Sequence, residues 1–303
     1  MTTPEAQIRH EFRIGARIVV AHEGPPVREP RAAVFWLGGT PHSGALLTPH
    51  LEAASARDVR LLSVARPGFG GSGRDAGRSV GAAASDVELV ADLLGIDRFA
   101  VMGYSGGGPH ALAVGALAGD RVTAVATFGG LAPFDEDETW FDGMHDPSAL
   151  WVAREGRAAR EAWEETSSFD PEQFTEDDYA ALDGPLASLA DEVERASQAD
   201  LGGSVDDDLA FVRPWGVELA YITAQVVLVH GTEDRVVPFG HAQRVSSACA
   251  SSEVVAVPGR GHVGVLLGWE DALDRVVDTG PRRSGSACRS TASTTTSTPT
   301  PRR

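Results

Sequence analysis

Three side chains of this sequence have the types and the order needed for nucleophilic catalysis. The first is Ser105, in Gly103-Tyr104-Ser105-Gly106-Gly107, a G-x-S-x-G run. A serine hydroxyl is a weak nucleophile until a neighbouring base takes its proton. His262, in Pro258-Gly259-Arg260-Gly261-His262, can be that base. Its ring must be held in one tautomer, and Asp234, in Gly231-Thr232-Glu233-Asp234, is the carboxylate suited to hold it. Glu233, next to it, is the backup. The chemistry of such a trio is acyl transfer to water through a covalent acyl-serine.

The elements that must position these residues are legible as hydrophobic runs. FAVMGY, at 99–104, reads as a buried strand running into the serine, and GGGPHALAVGALAG reads as a helix running out. A sharp strand-to-helix turn of this kind is a nucleophile elbow. Gly103 and Gly107 let strand and helix approach closely, Tyr104 precedes the nucleophile, and Pro109 is tolerated in a first helical turn. The runs at 225–230 (QVVLVH) and 253–257 (EVVAV) lead into the Asp234 and His262 loops. Further buried-type strands are expected at 32–37, 60–65 and 122–128, with two strands over 9–24 turning near Gly15. Helical patterns cover 79–94, 106–118, 239–250 and 265–277. Strands alternating with helices predict a mostly parallel sheet covered on both faces. In such sheets ligands bind at the carboxyl ends of the strands, where all three residues would then lie.

With the chain order Ser, Asp, His added, the sequence from about 9 to about 278 resembles a capped member of the α/β-hydrolase superfamily with a serine nucleophile. The resemblance includes Gly38-Gly39-Thr40-Pro41, Arg66-Pro67-Gly68-Phe69-Gly70-Gly71-Ser72, and the stretch Asp207-Asp208-Leu209-Ala210-Phe211-Val212-Arg213-Pro214-Trp215-Gly216. It implies the α/β-hydrolase fold and an oxyanion hole from the backbone N–H groups of Thr40 and Gly106. Two departures stand out: Gly38 occupies a position where His is usual, and Ala65 one where Asp is usual. They bear on loop packing, since neither supplies a donor to the hole. A serine at 105 argues against dehalogenase and epoxide hydrolase relatives, which use Asp there.

Several other residues invite a functional reading with a plainer alternative beside it. Gly68 to Gly73 fits G-x-G-x-x-G, yet no helix opens directly after it, so a hydrolase loop explains it better than a dinucleotide site. His42 either lines the pocket or is solvent-exposed, exposure being the default. His110 reads as structural, and His230 as packing under the acid loop. Trp140, Phe141, Met144, Trp151 and Trp163 either wall an apolar pocket or pack on one another. No His, Cys or carboxylate cluster has metal-ligand spacing, so neither metal nor cofactor is expected.

Organisation follows from composition. The strand–helix alternation stops between 134 and 220, which holds 24 Asp or Glu against 5 Arg and reads as a helical cap. Its charge is read as a solvated outer face, or else as a field disfavouring anionic substrates. The expected domains are a core of 1–133 and 221–279, a cap of 134–220, and a disordered Ser/Thr/Pro/Arg tail of 280–303. A net charge of −17, with every basic residue an Arg, argues against nucleic acid as a partner. Two cysteines, Cys249 and Cys288, make no disulfide framework. With no signal peptide and no membrane-length apolar run, a cytoplasmic serine hydrolase acting on a small, uncharged ester or related acyl compound is expected. A lyase or cofactor-free peroxidase on the same trio, and a ligand-binding protein with little turnover, are the alternatives. Nothing in the sequence bears on oligomeric state.

Overall fold

Apolar runs without alternation need cover on both faces. In the computed structural model, which describes residues 7–197 and 201–278, they form one eight-stranded sheet. The strands are β1 (Ile8–Ile14), β2 (Arg17–Glu23), β3 (Ala32–Leu37), β4 (Val59–Val64), β5 (Phe99–Tyr104), β6 (Val122–Phe128), β7 (Gln225–Gly231) and β8 (Ser252–Val257). Their order is β1-β2-β4-β3-β5-β6-β7-β8. β1 and β2 pair antiparallel, β2 joins β4 antiparallel, and every later pairing is parallel. This is the mostly parallel, helix-flanked sheet that the sequence predicts.

Helices α1 (Thr48–Ser55) and α10 (Trp269–Asp278) cover one face; α2 (Ala82–Leu93), α3 (Gly107–Leu117) and α9 (Gly240–Ala248) cover the other. Each face carries its own apolar cluster. Phe35, Phe99 and Val101 belong to one, and Trp36, Met102 and Phe128 to the other, as alternation along β3 and β5 requires. Helix α1 is absent from the sequence reading. Its start is set by Pro49 in the first turn, where the missing N–H costs nothing. β8 also differs from its expected buried type: it is the sheet's edge, and its side chains are only partly covered.

Between β6 and β7 the chain leaves the sheet and forms α4 (Ser148–Ala153), α5 (Arg157–Glu164), α6 (Glu176–Leu182), α7 (Ala187–Ser197) and α8 (Gly202–Phe211). Helix α6 starts with a capping box, Thr175 and Asp178 each satisfying the other's backbone N–H. The expected tail and Cys288 lie outside the described residues. No helix among the described residues is long and apolar enough to cross a membrane.

Candidate active site

β5 ends at Tyr104 and α3 begins at Gly107, so the chain must reverse direction within two residues. Ser105 does so with φ at 50°. That left-handed conformation costs a non-glycine residue on the order of 1–2 kcal/mol. It is held by the Ser105 N–H donating to Phe128 O at 2.8 Å and the Gly108 N–H donating to Ser105 O at 2.9 Å. The flanking glycines are required by contact. A Cβ on Gly103 would lie 2.4 Å from Gly107 O, and one on Gly107 would lie 2.0 Å from Leu37 O.

The loops after β7 and β8 bring Asp234 and His262 to the same sheet edge. His262 Nδ1 is 2.8 Å from Asp234 Oδ2, and its Nε2 is 2.9 Å from Ser105 Oγ. A carboxylate accepts only, so Nδ1 carries the proton and Nε2 accepts from the serine hydroxyl. The other Asp234 oxygen takes the N–H groups of Val236 and Val237 at 3.0 and 2.8 Å. Both Asp234 and His262 are buried, whereas Glu233 points to solvent. His230 Nε2–H donates to Val237 O, 2.7 Å away, and the ring packs under the acid loop as the sequence suggests.

Thr40 follows β3 and meets Gly106 directly: a Cβ on Gly106 would lie 2.2 Å from Thr40 Oγ1. Among the described residues, neither the Thr40 nor the Gly106 N–H has a hydrogen-bond partner. The loop that carries Thr40 is gripped from below by Arg66. Its guanidinium donates to Gly38 O, to Gly39 O at 2.6 Å, to Thr40 Oγ1 at 2.9 Å and to Asp207 at 2.7 Å. Asp207, on α8, also accepts from Arg78. Burial opposes its charge, but Arg66 and Arg78 win and hold its carboxyl well below the usual carboxylate range. His110 completes the group as a buried structural residue, its Nδ1 3.1 Å from Val80 O.

Helix α6 supports the histidine loop in the same way. Asp178 accepts the N–H groups of Val263 and Gly264 at 2.6 and 2.9 Å. Sequence reading missed Arg66, Asp178 and Asp207 as positioning residues. The Thr175–Asp178 capping spacing and the Asp207–Gly216 stretch were the available signals.

Two expectations need correcting. His42 is buried, because Gly38 leaves it a slot: a Cβ at 38 would lie 2.2 Å from the His42 ring. The acidic stretch is only partly a solvated face, since Asp178, Glu192, Asp206 and Asp207 turn inward. The aromatic residues divide between the two readings. Trp140 and Phe141 pack on Phe134 in the core, Trp151 packs at a tilt against Phe141, and Met144 and Trp163 line a cavity. The glycine run at 68–73 remains a loop, with Gly68 packed on Gly203 and no helix until Ala82.

Ser105 lies where two cavities meet, of about 460 and about 530 Å³. Among the described residues, no group of His, Cys, Asp or Glu is arranged to hold a metal. A model of the alpha/beta hydrolase family matches residues 18–279. The chain belongs to the alpha/beta hydrolase family. Solved structures agree on the fold of this alpha/beta hydrolase. A hydrolase from Pseudomonas aeruginosa PA01 is similar with a TM-score of 0.68 at 16% identity, over 89% of this chain and 96% of the other. The enol-lactonase from Burkholderia xenovorans LB400 gives 0.67 at 19%, over 89% and 99%. A bromoperoxidase from Bacillus anthracis gives 0.69 at 19%, over 90% and 100%. No curated protein matches the chain.

Proposed function

We propose that this alpha/beta hydrolase is a serine hydrolase that cleaves a small ester or related acyl compound. The observation that carries the reading is the position of His262, 2.8 Å from Asp234 and 2.9 Å from Ser105. His262 takes the Ser105 proton as Oγ attacks the acyl carbon, and Asp234 stabilises the imidazolium. The tetrahedral oxyanion is held by the Thr40 and Gly106 N–H groups, beside the N-terminus of α3, whose dipole favours negative charge. His262 then protonates the departing oxygen as its bond to the acyl carbon breaks. Water, deprotonated by the same ring, attacks the acyl-serine; the acid leaves and Oγ recovers its proton.

The segment 134–220 acts as a cap in this reading. It supplies Phe169, Gln173 and Trp163 to the cavity walls and screens the reacting atoms from bulk water. The test is intact mass after exposure to a fluorophosphonate probe. One adduct on the wild type and none on Ser105→Ala is expected. A folded wild type that takes no adduct overturns the reading in favour of a binding protein.

A further inference from the structure

The two cavities that meet at Ser105 differ in kind. The smaller is walled by Phe174, Leu182, Leu189, Val193 and Val263, with the exposed Glu194 its one carboxylate, and the His262 ring faces it. The larger contains Gly106 and not His262, and its charged lining is one guanidinium, Arg160, against four carboxylates: Asp146, Glu164, Asp170 and Asp208. The guanidinium is already engaged. Its Nε donates to Asp208 at 2.7 Å and its Nη1 to Glu164 at 2.6 Å, while its face lies 4.5 Å from the Trp163 ring centroid. Arg160 is buried, so turning it to a bound carboxylate would strand two acids in a confined space. His145 Nε2 lies 2.9 Å from Asp170, and even with that ring charged the four acids outnumber the cations, so the lobe keeps a net negative charge.

We propose that the larger lobe takes the acyl part of the substrate and selects acyl chains bearing a protonated amine, while the apolar lobe takes an uncharged leaving group. The inference rests on the hydrolase reading above. The direction follows from the proton: the ring that protonates the departing oxygen opens to the apolar lobe. The acyl chain then extends past Gly106 toward Glu164 and Asp208. Their field attracts a cation and opposes an anion.

Hexyl esters in two matched sets test this. One set is β-alanine, butanoate and monosuccinate; the longer is 6-aminohexanoate, heptanoate and monoheptanedioate. At low ionic strength kcat/KM for the amine ester is expected to exceed that of its neutral isostere by about tenfold in one set or both, with the carboxylate slowest. Glu164→Gln is expected to reduce the amine-to-neutral ratio several-fold, and Glu164→Asp to restore most of it. Asp170→Asn, at the exposed mouth, gives the same readout should Glu164→Gln fail to fold. Equal or reversed ratios in an enzyme that still labels at Ser105 overturn the inference and leave the hydrolase reading standing. No labelling together with no turnover of any ester overturns both.

Discussion

Asp207 accepts a 2.7 Å hydrogen bond from the hydroxyl of Thr40, across 167 positions of sequence. One is on the last helix of the segment between β6 and β7; the other is on the loop after β3. Through this bond, and through Arg66 shared between them, that helix and the proposed oxyanion loop are held as one unit.

Removing the carboxylate should therefore damage both stability and catalysis. Asp207→Ala leaves the buried Arg66 without its counter-charge and Arg78 with only Asp206, 3.4 Å away, which costs about 3–5 kcal/mol in urea unfolding. Thr40→Val keeps the ion pairs and loses only the hydroxyl. It should cost about 1 kcal/mol of stability and lower kcat for an ester roughly tenfold with KM little changed. A Thr40→Val enzyme with unchanged kcat would show that the loop does not depend on this bond.

Asp178 gives a parallel expectation at the histidine loop. Asp178→Ala removes the acceptor of two backbone N–H groups and half of a capping box. About 2–4 kcal/mol should be lost, together with fluorophosphonate labelling rate at Ser105. Wild-type labelling would mean that His262 is positioned by Asp234 alone.

Backbone strain at Ser105 predicts opposite effects on stability and activity. Ser105→Gly relieves the positive φ and should raise stability by about 0.5–1 kcal/mol while abolishing turnover. Ser105→Ala abolishes turnover without that gain. The difference between the two variants in thermal unfolding is the measurement, and no difference would remove the claim of strain.

Acid should unfold the protein through its buried histidines. Burial lowers His42 to about 4, and His50 and His241 to about 3, from an ordinary 6.5. Between these values and 6.5 the unfolded chain binds protons that the folded chain refuses. Stability is thus full above about pH 6.5 and falls as pH drops toward 4, by roughly 1.4 kcal/mol per pH unit for each histidine. His50 lies between Trp36 and Trp269 with neither ring nitrogen partnered among the described residues. His50→Phe should flatten the slope between pH 6 and 4 by about one histidine's share. An unchanged slope would clear His50.

What the sequence alone determined was whatever short-range chemistry writes down. Unbroken apolar runs marked six of the sheet's eight strands within a residue or two, with the last of them mistaken for a covered one. The glycines at 103 and 107 marked a turn whose backbones leave no room for a side chain, and the Ser, Asp and His loops each followed a strand. Periodicity and backbone sterics are local, so they survive in a linear string. What only the tertiary structure decided was the fate of the charges. The Thr175–Asp178 spacing hints at a helix start but not at the histidine loop it supports, and nothing local says that Asp207 will meet Arg66 and Arg78, nor buries His42 while leaving Glu233 in water. A carboxylate turns inward only when a distant segment brings it a guanidinium or a row of unpaired N–H groups, and that meeting exists only once the chain has folded.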